Sequence, residues 1–310
     1  MNETNLPERP GNAAALGLEA EKLAARLPPL LIEAERLSSI VGLGVHGRRK
    51  AGTGETFWQF RRYAQGDGTN TIDWRQSAKS QHLFVREREW EAVEAVWFWC
   101  DMSEGMHFAS DRAIPTKFDR ASLLALALAS LLIRGGERIA LLGSGRLPAG
   151  GRVAVNHMAH TLAESAPNNQ TLPPDTAVGK NAQLVWLSDF LSPLADIEHK
   201  VRNIAGAGLA GHLVHIIDPA EQDFPYSGRT RFEWSPARLS ELLGRAESAR
   251  EEYCRRFQAQ ADSVSAFARR LGWTYLAHRT DHRPETALVA LYATLGGVPA
   301  NNGGARVAVT

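Results

Sequence analysis

Ala92 to Met106 reads AVEAVWFWCDMSEGM, and the reading of the fold turns on it. Val93, Ala95, Val96, Trp97, Phe98, Trp99 and Cys100 form an almost continuous apolar run of β-favouring residues. A run of that kind fits a central strand covered on both faces. It stops at Asp101, and Met102, Ser103, Glu104 and Gly105 follow. A carboxylate and a hydroxyl two residues apart, just past the C-terminal end of a strand, stand where open α/β sheets bind their ligands.

Outward from this strand the chain alternates between strand and helix patterns. Lys117 to Arg134 reads as a helix apolar nearly all round, ended by Gly135-Gly136. Arg138 to Leu142 reads as a strand, Val153 to Val155 as a short strand, and Asn156 as the N-cap of a helix to about Ser165. Gln183 to Ser188 is a second buried strand with Asp189 at its end; Pro193 to Ala205 is a helix and His212 to Ile217 a strand. Pro219 to Trp234 reads as irregular, with a short strand at Thr230 to Trp234. Pro236 to Leu271 reads as one long helix or two joined ones, striped by Leu239, Leu242, Leu243, Ala246, Tyr253, Phe257, Val264, Phe267 and Leu271. Trp273 to His278 is a strand and Pro284 to Leu295 the last helix. The alternation implies an α/β fold, a doubly wound and mainly parallel sheet flanked by helices. In that winding the strands ending at Asp101 and Asp189 flank the switch point, and both carboxylates meet in one crevice.

Ahead of the sheet, residues 1–17 read as a disordered lead-in, and residues 18–91 as a helical and loop-rich segment packed on the main domain. The main domain is expected over 92–297 and a flexible tail over 298–310. Leu18 to Arg26 reads as a short helix, and Leu30 to Val41 as an amphipathic one. Gly42 to Trp90 holds nine Lys/Arg and five Asp/Glu, with Phe57, Trp58, Phe60, Tyr63 and Trp74 interleaved. A basic surface with aromatic stacking is one reading. The favoured one pairs the arginines with Glu55, Asp67 and Asp73, because the whole chain of 310 residues carries a formal charge of only +1. The same neutrality argues against nucleic acid as a partner.

The composition excludes further classes. Cys100 and Cys254 are the only cysteines, too few for a disulfide framework, and they suit a reducing cytoplasm. The longest apolar run, Ala121 to Ile133, has 13 residues where a span needs about 20, so no membrane segment is expected. No Walker-type phosphate loop occurs. His157 and His160 lie three apart without a third ligand at suitable spacing and read as surface residues. Cys100, inside an apolar strand, reads as packing.

The sequence Asp101-Met102-Ser103-Glu104-Gly105 resembles the first loop of the metal-ion-dependent adhesion site of von Willebrand factor A domains, Asp-x-Ser-x-Ser, with Gly105 in place of the second serine. A longer series resembles the signature of the domain of unknown function 58 family. It runs through Gly54-Glu55, Phe57, Arg61-Arg62-Tyr63, Gly66-Asp67, Ile72-Asp73-Trp74, Ser77-Ala78-Lys79 and Val85-Arg86-Glu87. It continues through Ser188-Asp189-Phe190, Asp218-Pro219, Phe224 to Gly228 and His278 to Asp281. That family carries a von Willebrand factor A-like domain after the signature. The resemblance implies a degenerate adhesion site with Asp101, Ser103 and Asp189 as oxygen ligands and a threonine from an intermediate loop. Thr171 is best placed by order, and Thr176 is the alternative. Such a site would bind Mg²⁺ weakly and leave one position for a partner's carboxylate. The plain alternative is that Asp101 and Asp189 only cap neighbouring helices and loops.

Two functions follow. The favoured one is a cytoplasmic protein-interaction module. The family resemblance suggests a MoxR-type AAA+ ATPase as its partner, in protein assembly or metal insertion. The other is a metal-dependent phosphohydrolase using Asp101, for which Ser103 stands where a second carboxylate is wanted and no lysine is evident beside Asp189.

Overall fold

In the computed structural model the described residues are 32–41, 57–62, 74–79, 83–88, 95–175, 182–234 and 239–295. The readings at 1–17, 18–26, 298–310 and Thr176, and much of the 42–90 segment, lie outside them. The chain divides into two compact units, Gly47–Val93 and the remainder.

The smaller unit contains β1 (Phe57–Arg62), the short helix α2 (Trp74–Ser77) and β2 (Phe84–Arg88). β1 and β2 pair antiparallel, and the Phe84 N–H donates to Ser77 Oγ at 2.9 Å.

The larger unit begins with helix α1, residues 32–41. Then come β3 (Ala95–Cys100), α3 (Lys117–Arg134), β4 (Arg138–Leu141), α4 (Arg152–Glu164), β5 (Gln183–Ser188), α5 (Leu194–Gly206) and β6 (Ala210–Ile217). After them follow α6 (Pro219–Asp223), β7 (Thr230–Trp234), β8 (Leu239–Leu243), α7 (Arg250–Arg270), β9 (Thr274–Arg279) and α8 (Pro284–Leu295). The main sheet has the order β4-β3-β5-β6-β9, with every pairing parallel. The expected α/β class, with a mainly parallel sheet between helices, is what the chain forms.

Alternation along β3 explains the two layers. Val96, Phe98 and Cys100 face one core, with α1, α3, α4 and α8. Trp97 and Trp99 face the other, with α5 and α7. Because successive side chains point to opposite faces, a strand covered on both sides must be apolar throughout. The helix at 32–41 gives Ala34, Leu37 and Val41 to the first core, so it belongs with the sheet and not with the signature segment. α3 is buried almost all round and is capped by Thr116, whose hydroxyl oxygen accepts the Asp119 N–H.

Two local readings are corrected. Val153 to Val155 lies in the first turn of α4, which starts after Gly151 rather than at Asn156. Leu239, Leu242 and Leu243 do not belong to a helix: β8 pairs antiparallel with β7, and the helix begins only at Arg250. Neither correction moves β5, which lies directly beside β3 as the switch-point reading requires.

Candidate functional site

The C-terminal ends of β3, β5 and β6 deliver Asp101, Asp189 and Asp218 to one edge of the sheet. Register sets the first meeting. Cys100 pairs with Leu187, so Asp101 comes beside Ser188, and the Asp101 N–H donates to the Leu187 carbonyl at 2.9 Å. Ser188 Oγ donates to Asp101 Oδ2 at 2.7 Å, and the Ser103 N–H to Asp101 Oδ1 at 2.8 Å. Asp101 is wholly buried. Burial, reinforced by the negative charge of Asp189, lifts its carboxyl pKa above the usual range, against the hydrogen bonds from Ser103 and Ser188.

Asp189 is turned another way. Its Oδ1 accepts the Leu191 N–H at 3.2 Å, and its Oδ2 accepts the Lys117 ammonium at 2.8 Å. Lys117 is the first residue of α3 and only 1% exposed, and the same ammonium also donates to Glu221 of α6. Glu221 is fixed by the capping box of α6, in which it accepts the Asp218 N–H at 3.1 Å. Burial alone would lower the Lys117 pKa. The Asp189 and Glu221 carboxylates overrule it and hold the lysine pKa above its ordinary value. Burial would likewise raise the Asp189 carboxyl, but Lys117 and the Leu191 N–H hold it below the usual carboxylate range.

The structure therefore brings Asp101, Ser103 and Asp189 together. It also places a lysine against Asp189, where the sequence showed none. Thr171 makes no hydrogen bond to these three among the described residues, although its loop runs close by: the Asn168 N–H donates to the Met102 carbonyl at 3.0 Å. Lys117 carried one readable signal. A cation in the first turn of a largely buried helix opposes the helix dipole and needs a partner. His157 is exposed and contacts Arg146, and Cys100 is fully buried with its thiol pKa pushed up by burial.

A magnesium ion wants about six oxygens turned toward one point at about 2.0–2.1 Å. Here the Asp101 oxygens are turned to Ser103 and Ser188, and the Asp189 oxygens to Leu191 and Lys117. A positive charge already stands on Asp189 Oδ2. The residues as arranged do not fit a divalent ion. Among the described residues no group of three or more His, Cys, Asp or Glu suited to a metal occurs. Asp101 is equally ill suited to attack a phosphate ester, since it is sealed from solvent. Asp101→Ala should cost about 1–3 kcal/mol in urea unfolding, because it leaves the buried Ser103 N–H and Ser188 hydroxyl without their acceptor.

The mouth of the crevice is Gly105. A Cβ there would lie 3.4 Å from Asp189 Oδ2 and 3.9 Å from Ser103 Oγ, ordinary contacts. On the neighbouring loops Phe108 and Leu191 are 39% and 48% exposed. Between Asp189 and Leu191, Phe190 has a positive φ of 49°, and Phe224, which closes α6, one of 44°. Bulky residues seldom adopt that conformation, and strain of this kind concentrates at functional loops. Gln260 of α7 steadies the first of these loops by donating to the carbonyls of Phe190 and Ser192 at 3.2 and 2.9 Å.

The family model described as "Protein of unknown function DUF58" matches residues 59–263. Uncharacterized proteins of Mycobacterium tuberculosis and Mycobacterium bovis are 27% identical over 301 residues, covering 91% of this chain and 93% of each relative. Two solved structures each cover 66% of this chain and 98% of their own. One is an aerotolerance-related membrane protein from Bacteroides fragilis, at 13% identity and a TM-score of 0.39. The other is BatB from Bacteroides thetaiotaomicron, at 11% and 0.38.

Proposed function

This chain belongs to the family described as Protein of unknown function DUF58, and on that premise we propose that it is a von Willebrand factor A-like protein-interaction module. It takes its partner at the mouth of the crevice formed after β3, β5 and β6. The proposed partner is a MoxR-type AAA+ ATPase, and the work is protein assembly or metal insertion. A cytoplasmic setting is part of the same proposal and is supported by two unpaired cysteines, Cys100 and Cys254.

One observation carries the reading: exposed apolar side chains stand on the loops that hold a buried, fully hydrogen-bonded acidic cluster. Phe108 follows the Asp101 loop and Leu191 follows Asp189, each anchored by backbone hydrogen bonds. Large apolar side chains exposed on rigid loops suit a protein partner better than a small substrate. The buried Asp101 leaves a phosphohydrolase reading without a nucleophile.

Gly105→Arg tests the proposal. Gly105 has no positive φ and a Cβ there would meet only ordinary contacts, so the variant should fold with an unchanged thermal midpoint. Its side chain would stand in the mouth between the two loops. Calorimetric binding of the purified MoxR-type ATPase from the same organism should weaken by about tenfold or more, or about 1.4 kcal/mol. Unchanged affinity would move the interface elsewhere.

A further inference from the structure

We infer that Lys117 is the crevice's own cation: its ammonium does the work expected of a divalent ion, and the chain binds such an ion there only when that charge is removed. The inference rests on the geometry of the isolated chain and holds whether or not the proposed partner is the right one.

Three observations carry it. First, the ammonium joins elements far apart in sequence. It leaves α3 and donates to Asp189, 72 residues on at the end of β5, and to Glu221, 104 residues on in α6. A bridging metal ion would tie the same elements in the same way. Second, the lysine is held where a lysine is poorly suited. It is 1% exposed and stands at a helix N-terminus, where the aligned peptide dipoles disfavour a cation. Only the two carboxylates account for a charged group in that place. Third, a further oxygen lies near the one that the ammonium holds. Asp189 Oδ2 and Ser103 Oγ both lie within 4 Å of the position a Gly105 Cβ would take, at 3.4 and 3.9 Å. With the lysine shortened, Asp189, Glu221 and Ser103 offer oxygens to an ion, and the glycine leaves room for the waters a hard cation keeps.

The experiment uses the full chain and Mn²⁺ as the probe. Bound Mn²⁺ is counted by electron paramagnetic resonance, and the thermal midpoint is recorded in chelator and in excess Mn²⁺. Wild type should take up no Mn²⁺ and keep the same midpoint in both. Lys117→Ala should melt lower in chelator, bind one Mn²⁺ per chain and recover much of its midpoint. Adding Asp189→Asn to it should abolish both effects. If Lys117→Ala does not fold in chelator, refolding on addition of Mn²⁺ is the same readout. Saturable Mn²⁺ binding by wild type that Asp189→Asn removes would overturn the inference. So would a Lys117→Ala chain that Mn²⁺ neither binds nor restores.

Discussion

Lys117→Met should lower the stability of the folded chain by about 3–5 kcal/mol in urea unfolding at neutral pH without divalent ions. Methionine fills most of the lysine's volume, so loss of packing is the smaller part of the effect. The larger part is electrostatic. Asp189 and Glu221 would be left facing each other in a nearly sealed site, with no cation between them. Removing one member of a buried pair costs far more than the pair contributes against an apolar replacement, because the remaining charge stays desolvated. The contrast is Arg255→Ala on α7. Its ion pair with Glu252 lies in solvent, and its loss should leave the urea midpoint unchanged. Equal effects from the two substitutions would mean that Lys117 is not the electrostatic keystone of the strand-end crevice.

Acid should unfold this protein well above the carboxylate range. Three histidines are buried in the sheet. Burial pushes His212 and His215 down to about 4, and His278, also opposed by the charge of Arg120, down to about 3. His212 is satisfied as a neutral ring, with Thr274 at 2.8 Å on Nδ1 and Gln183 at 3.1 Å on Nε2. The Nδ1 of His215 lies 2.6 Å from the Tyr275 hydroxyl. Each ring has its ordinary pKa near 6.5 once unfolded, so below that value the unfolded chain binds more protons than the folded one. The stability that neutral histidines contribute is therefore complete above about pH 6.5 and is lost as pH falls toward 4. At pH 5 the loss is about 2 kcal/mol for each ring, or about 6 kcal/mol for three. That is comparable to the whole stability of many domains. Asp101 works in the opposite sense, since burial raises its carboxyl, and it offsets part of the loss. Urea midpoints measured from pH 7.5 to 5 should fall steeply, and His215→Phe should flatten the fall by about a third. A flat profile across that range would mean that the rings take up protons in place.

The crevice was legible from one strand. The apolar run before Asp101 fits a doubly covered strand, and the alternation of strands and helices puts a second run, ending at Asp189, in the same sheet. That inference survived a misread neighbour. Val153 and Val155 are β-branched, but three residues cannot reveal a period, and the segment follows Gly151 into a helix. Leu239, Leu242 and Leu243 mimic helical spacing over too short a stretch. Pairing with Thr230–Trp234, a tertiary effect, decides their conformation. Lys117 was not legible as part of the site, because its partners are 72 and 104 residues away and no local pattern joins them. The loss of a serine at Gly105 hinted that the expected metal site had changed. Only the fold shows a lysine on the same carboxylate.

Hydrogen–deuterium exchange on the complex with the purified MoxR-type ATPase tests the central claim, that partners dock over the strand-end crevice. Exchange should slow at residues 103–110, 190–192 and 219–228, and the core of the sheet should exchange as in the free chain. Slowing confined to residues 57–62 and 84–88, with the loops after β3, β5 and β6 unchanged, would contradict it and assign docking to the smaller unit.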